Sequence, residues 1–229
     1  MEPDLSRRGL LAAAGVVTAA AAMSGNPAQA QAAPGFVPQP LPFDPKAIPG
    51  LSEKLLVSHH DNNYAGAVKR LGAIQADLAR LDPATAPGFE LNGLKREELI
   101  AWNSMILHEL YFAGLGVPGR PGARLAQAIE RDFGSDARWR AEFAALGKAL
   151  GGGSGWVLLT WSRHDRRLVN SWAADHTMTL AGGAPILALD MYEHAYAMDY
   201  GAKAAAYVDA FMGAVNWSHA DAQFARAAG

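Results

Sequence analysis

At 229 residues, half of them hydrophobic, the chain has enough apolar mass to bury a sizeable core. A formal charge of −2, with no basic run and no aromatic–basic interleaving, argues against nucleic acid as a partner. The absence of cysteine excludes disulfides, thiolate metal sites and thiol catalysis.

The chain opens with Ser6-Arg7-Arg8-Gly9-Leu10-Leu11, paired arginines ahead of an Ala-rich apolar stretch that reaches Met23. Small residues then recur at Ala28, Ala30 and Ala32. This pattern predicts a twin-arginine export signal over residues 1–32, cleaved near Ala30 or Ala32, and so a periplasmic or otherwise exported protein. The apolar run is short for a membrane span, and no later segment is long and apolar enough to be one, so no stable membrane insertion is expected after cleavage. Removing the signal leaves the charge unchanged, because Arg7 and Arg8 leave together with Glu2 and Asp4.

A Pro- and Ala-rich extended segment runs to about Asp44. Ser52 can then cap a helix carrying Leu55, Leu56 and His59, followed by Ala67, Leu71, Ile74 and Leu78 at helical intervals. Pro83, Pro87 and Gly88 mark a loop from Asp82 to Asn92. A second helix from about Lys95 to Leu115 carries Leu99, Trp102, Ile106, Leu110 and Phe112 as its apolar set. Together the two helices predict an N-terminal α-hairpin over residues 33–118. Gly116 to Gly122, rich in Gly and Pro, is the clearest boundary, and residues 119–229 form the second half.

There, Arg124–Phe133 and Ala137–Gly147 read as amphipathic helices, and the glycines from Gly151 to Gly155 break the pattern. Trp156–Ser162, Leu168–Ala173 and Pro185–Leu189 read as strands, the first two joined by a turn at Arg163–Arg167. Helices from Tyr192 to Asp199 and from Ala202 to Val215 close the chain. The fold class is α+β: a helical hairpin, then an α/β half with a small three-stranded antiparallel sheet.

Asp190-Met191-Tyr192-Glu193-His194 places a carboxylate and an imidazole four residues apart after the apolar run that ends at Leu189. Such a pair suits a first-row transition metal, for which His nitrogen and Asp oxygen are common ligands. By itself it fits an N-capping Asp beside a surface His equally well. His59 and His108, each on the apolar side of one hairpin helix, could complete a shell of three histidines and one carboxylate. His164, in the turn, and His219, near the C-terminus, read as solvated residues.

Several separated segments resemble, in order, the iron/manganese superoxide dismutase family. They are Leu41-Pro42-Phe43, Ser52 ahead of His59, and His108-x-Leu110-Tyr111-Phe112-x-x-Leu115. Gly153-Ser154-Gly155-Trp156, Asp190-x-x-Glu193-His194-Ala195-Tyr196 and Val215-Asn216-Trp217 complete the set. The resemblance implies one Fe or Mn ion per subunit, held by His59, His108, Asp190 and His194. It implies disproportionation of superoxide to dioxygen and hydrogen peroxide, with a non-dismutating metal-binding protein on the same scaffold as the alternative. It further implies Tyr111, Trp156 and Tyr192 around the centre, and a homodimer in which Glu193 contacts the partner's metal-ligating His. His176 falls where the family places the residue that hydrogen-bonds solvent at the metal, and Ser104 stands in place of an alternative Gln.

The departures cluster around substrate entry. Asn63, Ala67 and Ala197 stand where typical members carry His, Tyr and Tyr, and Ala204, beside Lys203, where they carry Arg. Trp is usual at Phe112, Leu158 and Tyr192. His60 and Tyr64 lie one residue from the familiar entry positions, but adjacent helical residues point about 100° apart, so substitution would need a register shift.

Overall fold

Ser52 starts the first helix by the expected means. Its Oγ accepts the Leu55 amide, and α1 (Glu53–Ser58) buries Leu55 and Leu56 beneath the neighbouring elements. In the computed structural model, which describes residues 35–229, α1 does not run straight on. A π-helical turn, His59–Tyr64, follows it before α2 (Ala65–Arg80) resumes α geometry. A π turn adds a residue to the helical circuit, so it is itself a register shift placed just after the first histidine. The predicted twin-arginine segment lies outside the described residues.

The loop after α2 is shorter than expected, because α3 (Gly88–Ala113) begins directly after Pro87. The apolar set assigned to α3 divides. Leu99, Trp102 and Ile106 are 47%, 40% and 45% exposed, while Ala101, Leu107, His108 and Tyr111 are buried. Helical spacing explains the split: positions 101, 104, 108 and 111 make the inward stripe, and 99, 102 and 106 lie on the other side. The correction matters for function, since the inward stripe is the one that carries His108.

α4 (Ala123–Phe133) ends on Gly134 in a left-handed conformation, and α5 (Asp136–Ala149) starts on Ser135, whose side chain accepts the Arg138 amide. The sheet consists of β1 (Trp156–Ser162), β2 (Arg167–Ala173) and β3 (Gly183–Asp190), all antiparallel in the order β2-β1-β3. β1 is central and buried throughout, which is why it reads as one apolar run. The register sets Trp156 opposite Asp190 on one side and Ala173 on the other.

Gly155 makes that junction possible. Its φ is +133°, and a Cβ there would stand 2.1 Å from the Ala173 carbonyl oxygen, while its own carbonyl accepts the Met191 amide. Gly155→Ala combines a forbidden backbone region with a backbone clash, so it should cost about 3 kcal/mol or more in denaturant unfolding. A loss below about 1 kcal/mol would show that the junction can relax.

After β3 the predicted single helix is two pieces, a 3-10 turn at Glu193–Ala195 and the short α6 (Ala197–Tyr200). α7 (Ala204–Gly213) follows. α8 (Trp217–Ala228), which was not anticipated, begins where the Asn216 side chain accepts the His219 amide. The segment after β3 is clasped to the start of α1. The backbone amide and hydroxyl of Ser52 donate to the two Asp199 carboxylate oxygens, each at 2.7 Å, and the Tyr200 hydroxyl donates to the Gly50 carbonyl. One apolar core runs from Leu55 and Leu56 through Tyr111, Trp156 and Leu189 to Phe224. No helix among the described residues is long and apolar enough to cross a membrane.

Candidate metal centre

Four elements bring four donors together. His59 opens the π turn, His108 lies on the inward stripe of α3, Asp190 ends β3, and His194 sits in the 3-10 turn beyond it. One ligand atom from each lies within 4.8 Å of all the others. The Nε2 atoms of His59, His194 and His108 stand 3.2, 3.3 and 3.5 Å from Asp190 Oδ2. Donors about 2.1 Å from a shared ion and 90–120° apart would be separated by roughly 3.0–3.6 Å, so the spacing is that of a coordination shell.

The hydrogen bonding gives the same result. His59 Nδ1 and Nε2 and His108 Nε2 are buried without a hydrogen-bond partner. Orphaned polar atoms are costly in an interior, and the two Nε2 atoms among them both face Asp190 Oδ2. His108 Nδ1–H donates to the Ser104 carbonyl at 2.6 Å, which leaves Nε2 as the free lone pair. Asp190 Oδ1 accepts the Tyr192 amide at 2.8 Å, so the carboxylate is aimed before any ion arrives. Three neutral imidazoles and one carboxylate, with no thiolate, fit Fe or Mn well.

Electrostatics keep the shell ready to bind. Burial lowers the proton affinity of His59, and burial, reinforced by neighbouring His59, lowers the pKa of His108 to about 3. Burial alone would raise the Asp190 carboxyl, but the imidazoles of His194 and His59 outweigh it and hold the acid well below the carboxylate range. The lone pairs of His59 and His108 and the Asp190 charge are therefore available at neutral pH. In the metal-free protein, histidines whose folded pKa lies below 6.5 bind fewer protons than in the unfolded chain. Their contribution to stability is complete above pH 6.5 and falls as pH drops toward 3. Metal-free protein should therefore melt at progressively lower temperature between pH 6.5 and 4.5. A flat melting profile over that range would contradict the burial of neutral histidines.

Aromatic rings enclose the centre. Tyr111 and Phe112 lie 5.1 and 5.0 Å from the His59 ring, Trp156 meets His108 edge-on at 5.3 Å, and Tyr192 stacks on His194 at 5.3 Å. His176 is drawn in as well: it stacks on Tyr192 at 4.8 Å and accepts Trp156 Nε1–H on Nδ1 at 2.9 Å. That bond fixes the tautomer, so His176 Nε2 carries the hydrogen. Asn103 pins the same loop by donating to the His176 carbonyl. Sequence reasoning missed two supports: the buried Tyr207 hydroxyl, which donates to the Asp190 carbonyl at 2.8 Å, and the Asp199 clasp.

Residues 121–223 match the family described as iron/manganese superoxide dismutases, C-terminal domain. A "Superoxide dismutase [Fe]" of Cupriavidus metallidurans is 68% identical over 189 residues, covering 82% of this chain and 96% of the relative. The chain belongs to the iron/manganese superoxide dismutase family. Its α+β fold, with the small antiparallel sheet, is the one the resemblance implied. Other members include a "Superoxide dismutase [Mn] 1" of Halobacterium salinarum, 36% identical over 82% of this chain and 94% of its own. A "Superoxide dismutase [Fe]" of Aquifex pyrophilus is 33% identical over 80% and 88%.

His60 and Tyr64, which neighbour the expected entry positions, are both engaged elsewhere. Despite the π turn, His60 Nε2 sits 2.8 Å from the Gln39 carbonyl, and the Tyr64 hydroxyl donates to Glu109 and accepts the Gln39 amide, both at 2.9 Å. Both residues anchor the segment ahead of α1. Ala67 and Ala204 are buried, Ala197 and Glu193 are exposed, and Asn63 is half-buried. His194 is the donor that reaches solvent, with 25% of its side chain exposed, so access lies on its side of the shell.

Proposed function

We propose that this protein disproportionates superoxide to dioxygen and hydrogen peroxide at one Fe or Mn ion held by His59, His108, Asp190 and His194. The observation that carries this reading is the convergence of the three Nε2 atoms on Asp190 Oδ2. When bound, the ion supplies a one-electron couple that accepts an electron from one superoxide and returns it to a second. Two protons complete the peroxide.

The chain's own residues set the conditions. Three imidazoles and a carboxylate hold either oxidation state without being oxidised, and the aromatic wall of Tyr111, Phe112, Trp156 and Tyr192 limits water. Trp156 occupies His176 Nδ1, which leaves Nε2–H as the group free to donate to water or substrate at the centre. The iron designation of the Cupriavidus relative supports iron as the preferred ion.

Export through the twin-arginine route and a homodimer belong to the same proposal. Paired Arg7 and Arg8 before an apolar stretch support the first. For the second, Glu193 is exposed beside a partly exposed His194, where a partner subunit would cover both. The test is superoxide decay measured with Fe-loaded and Mn-loaded protein at full occupancy, alongside native mass by sedimentation. Activity in neither form would overturn the dismutase reading in favour of metal holding alone. A monomer at micromolar concentration would overturn the dimer.

A further inference from the structure

The end of the molecule around the β1–β2 turn carries a second built feature. A cavity of about 500 Å³ is lined by Arg124, Arg131 and Arg166, with Trp161 and Phe224 forming part of its wall. No acidic side chain lines it, and every cation in it is an arginine. A neighbouring cavity beside Arg138 and Arg167 differs, because Asp132 and Glu142 share its lining. Since the three guanidiniums come from separated segments, they leave no basic run in the sequence.

Two of these guanidiniums are held in place by rings. Arg124 lies 5.7 Å over Phe224 and Arg131 5.9 Å over Trp161, and the two rings meet edge-on at 5.5 Å. Such contacts orient the planar fork and lower the entropy lost on binding an oxyanion. Arg131 donates Nε and Nη2 to Asp132 at 2.7 and 2.6 Å, and Arg124 donates once to the Gly229 carbonyl, so both keep N–H groups free.

Arg166 is the telling residue. Its φ is +53°, and among the described residues it is the one non-glycine with positive φ. Glycine or asparagine would sit there with less strain. Arg166 has no carboxylate within ion-pair distance among the described residues, although Asp165, next to it, lies 2.7 Å from His164. A strained position given to an unpaired arginine, in a cavity whose lining holds no acidic side chain, points to the guanidinium itself as what the turn supplies.

We infer that Arg124, Arg131 and Arg166 form a binding site for a multivalent phosphate group, separate from the metal centre. Bidentate arginine geometry matches phosphate oxygens, and three such forks around one cavity suit pyrophosphate-like or headgroup phosphate. The experiment uses the metal-loaded protein and titrates pyrophosphate by calorimetry at low and at physiological salt. Binding that weakens with salt is expected, with Arg166→Gly reducing affinity at least about tenfold.

Arg166→Gly should also raise the melting temperature by roughly 2–4 °C, because it relieves the turn, and leave superoxide decay unchanged. A merely structural arginine would lower both stability and binding. Sedimentation with phosphatidylglycerol vesicles, against phosphatidylcholine alone, distinguishes a lipid headgroup from a soluble phosphate. The site is overturned if pyrophosphate and anionic vesicles both fail to bind, or if Arg166→Gly binds as tightly as the parent.

Discussion

Asp190→Asn should leave a folded protein that no longer retains metal. Asparagine keeps the shape and can still accept the Tyr192 amide, so the end of β3 stays in register. What goes is the one negative charge among four donors. Three neutral imidazoles would then face a buried divalent or trivalent cation with no compensation, an arrangement a dry interior does not sustain. Metal affinity should fall by more than about a hundredfold, beyond what loss of an outer hydrogen-bonding partner costs.

Elemental analysis after dialysis gives the first measurement. The second is the thermal shift on adding Fe(II) or Mn(II), which in the parent rises with ion concentration because the ion binds only the folded state. Full occupancy in Asp190→Asn, or an undiminished thermal shift, would remove Asp190 from the shell.

His176→Leu should shift the reduction potential without emptying the site. The tautomer set by Trp156 makes His176 Nε2 a donor, and in the proposed function that donor serves the centre. A donor there favours the more negatively charged oxygen species beside the metal, which accompanies the oxidised state. Removing it should raise the potential by on the order of 100 mV, the one-electron equivalent of a charge-assisted hydrogen bond. Superoxide decay should slow by at least about tenfold while metal content is kept.

Leucine also leaves Trp156 Nε1–H buried without an acceptor, so some loss of stability is expected in the same variant. His176→Gln separates the two effects, since an amide can donate toward the centre and accept from Trp156 at once. Recovery of the potential in His176→Gln, with leucine still shifted, marks a positioning hydrogen bond. Equal potentials in all three proteins would take His176 out of that role.

The parts of the chain that could be read in advance are those fixed by local chemistry. β1 and β3 follow from apolar runs bounded by Gly and turn residues, β2 from its place after the turn at 163–167, and Ser52 announces its helix by its capping position. The metal shell was legible because histidines on apolar faces are conspicuous and Asp190 and His194 share a short motif. What stayed hidden depends on tertiary arrangement. The exposure of Leu99, Trp102 and Ile106 is set by which side of α3 meets the rest of the protein, and apolar content does not report that.

The π turn at His59–Tyr64 also leaves no compositional mark, since it contains neither proline nor glycine. α8 was not anticipated, although Asn216 caps it and Trp217, Ala220 and Phe224 recur at helical spacing on its buried side. The Ser52–Asp199 clasp joins residues far apart in the chain and could be found only in the folded protein.

The positions of the donors along the chain also set an order of events. His59 and His108 lie on the helical pair, whereas Asp190 and His194 come after the last strand. A chain growing from its N-terminus thus displays two imidazoles well before it has the only anionic ligand. Two imidazoles alone hold many divalent ions weakly and none selectively. Firm capture must wait until β3 pairs with β1 and brings the carboxylate to the histidines. An ion met early in synthesis can be released again, and the one that remains is chosen by the finished cage.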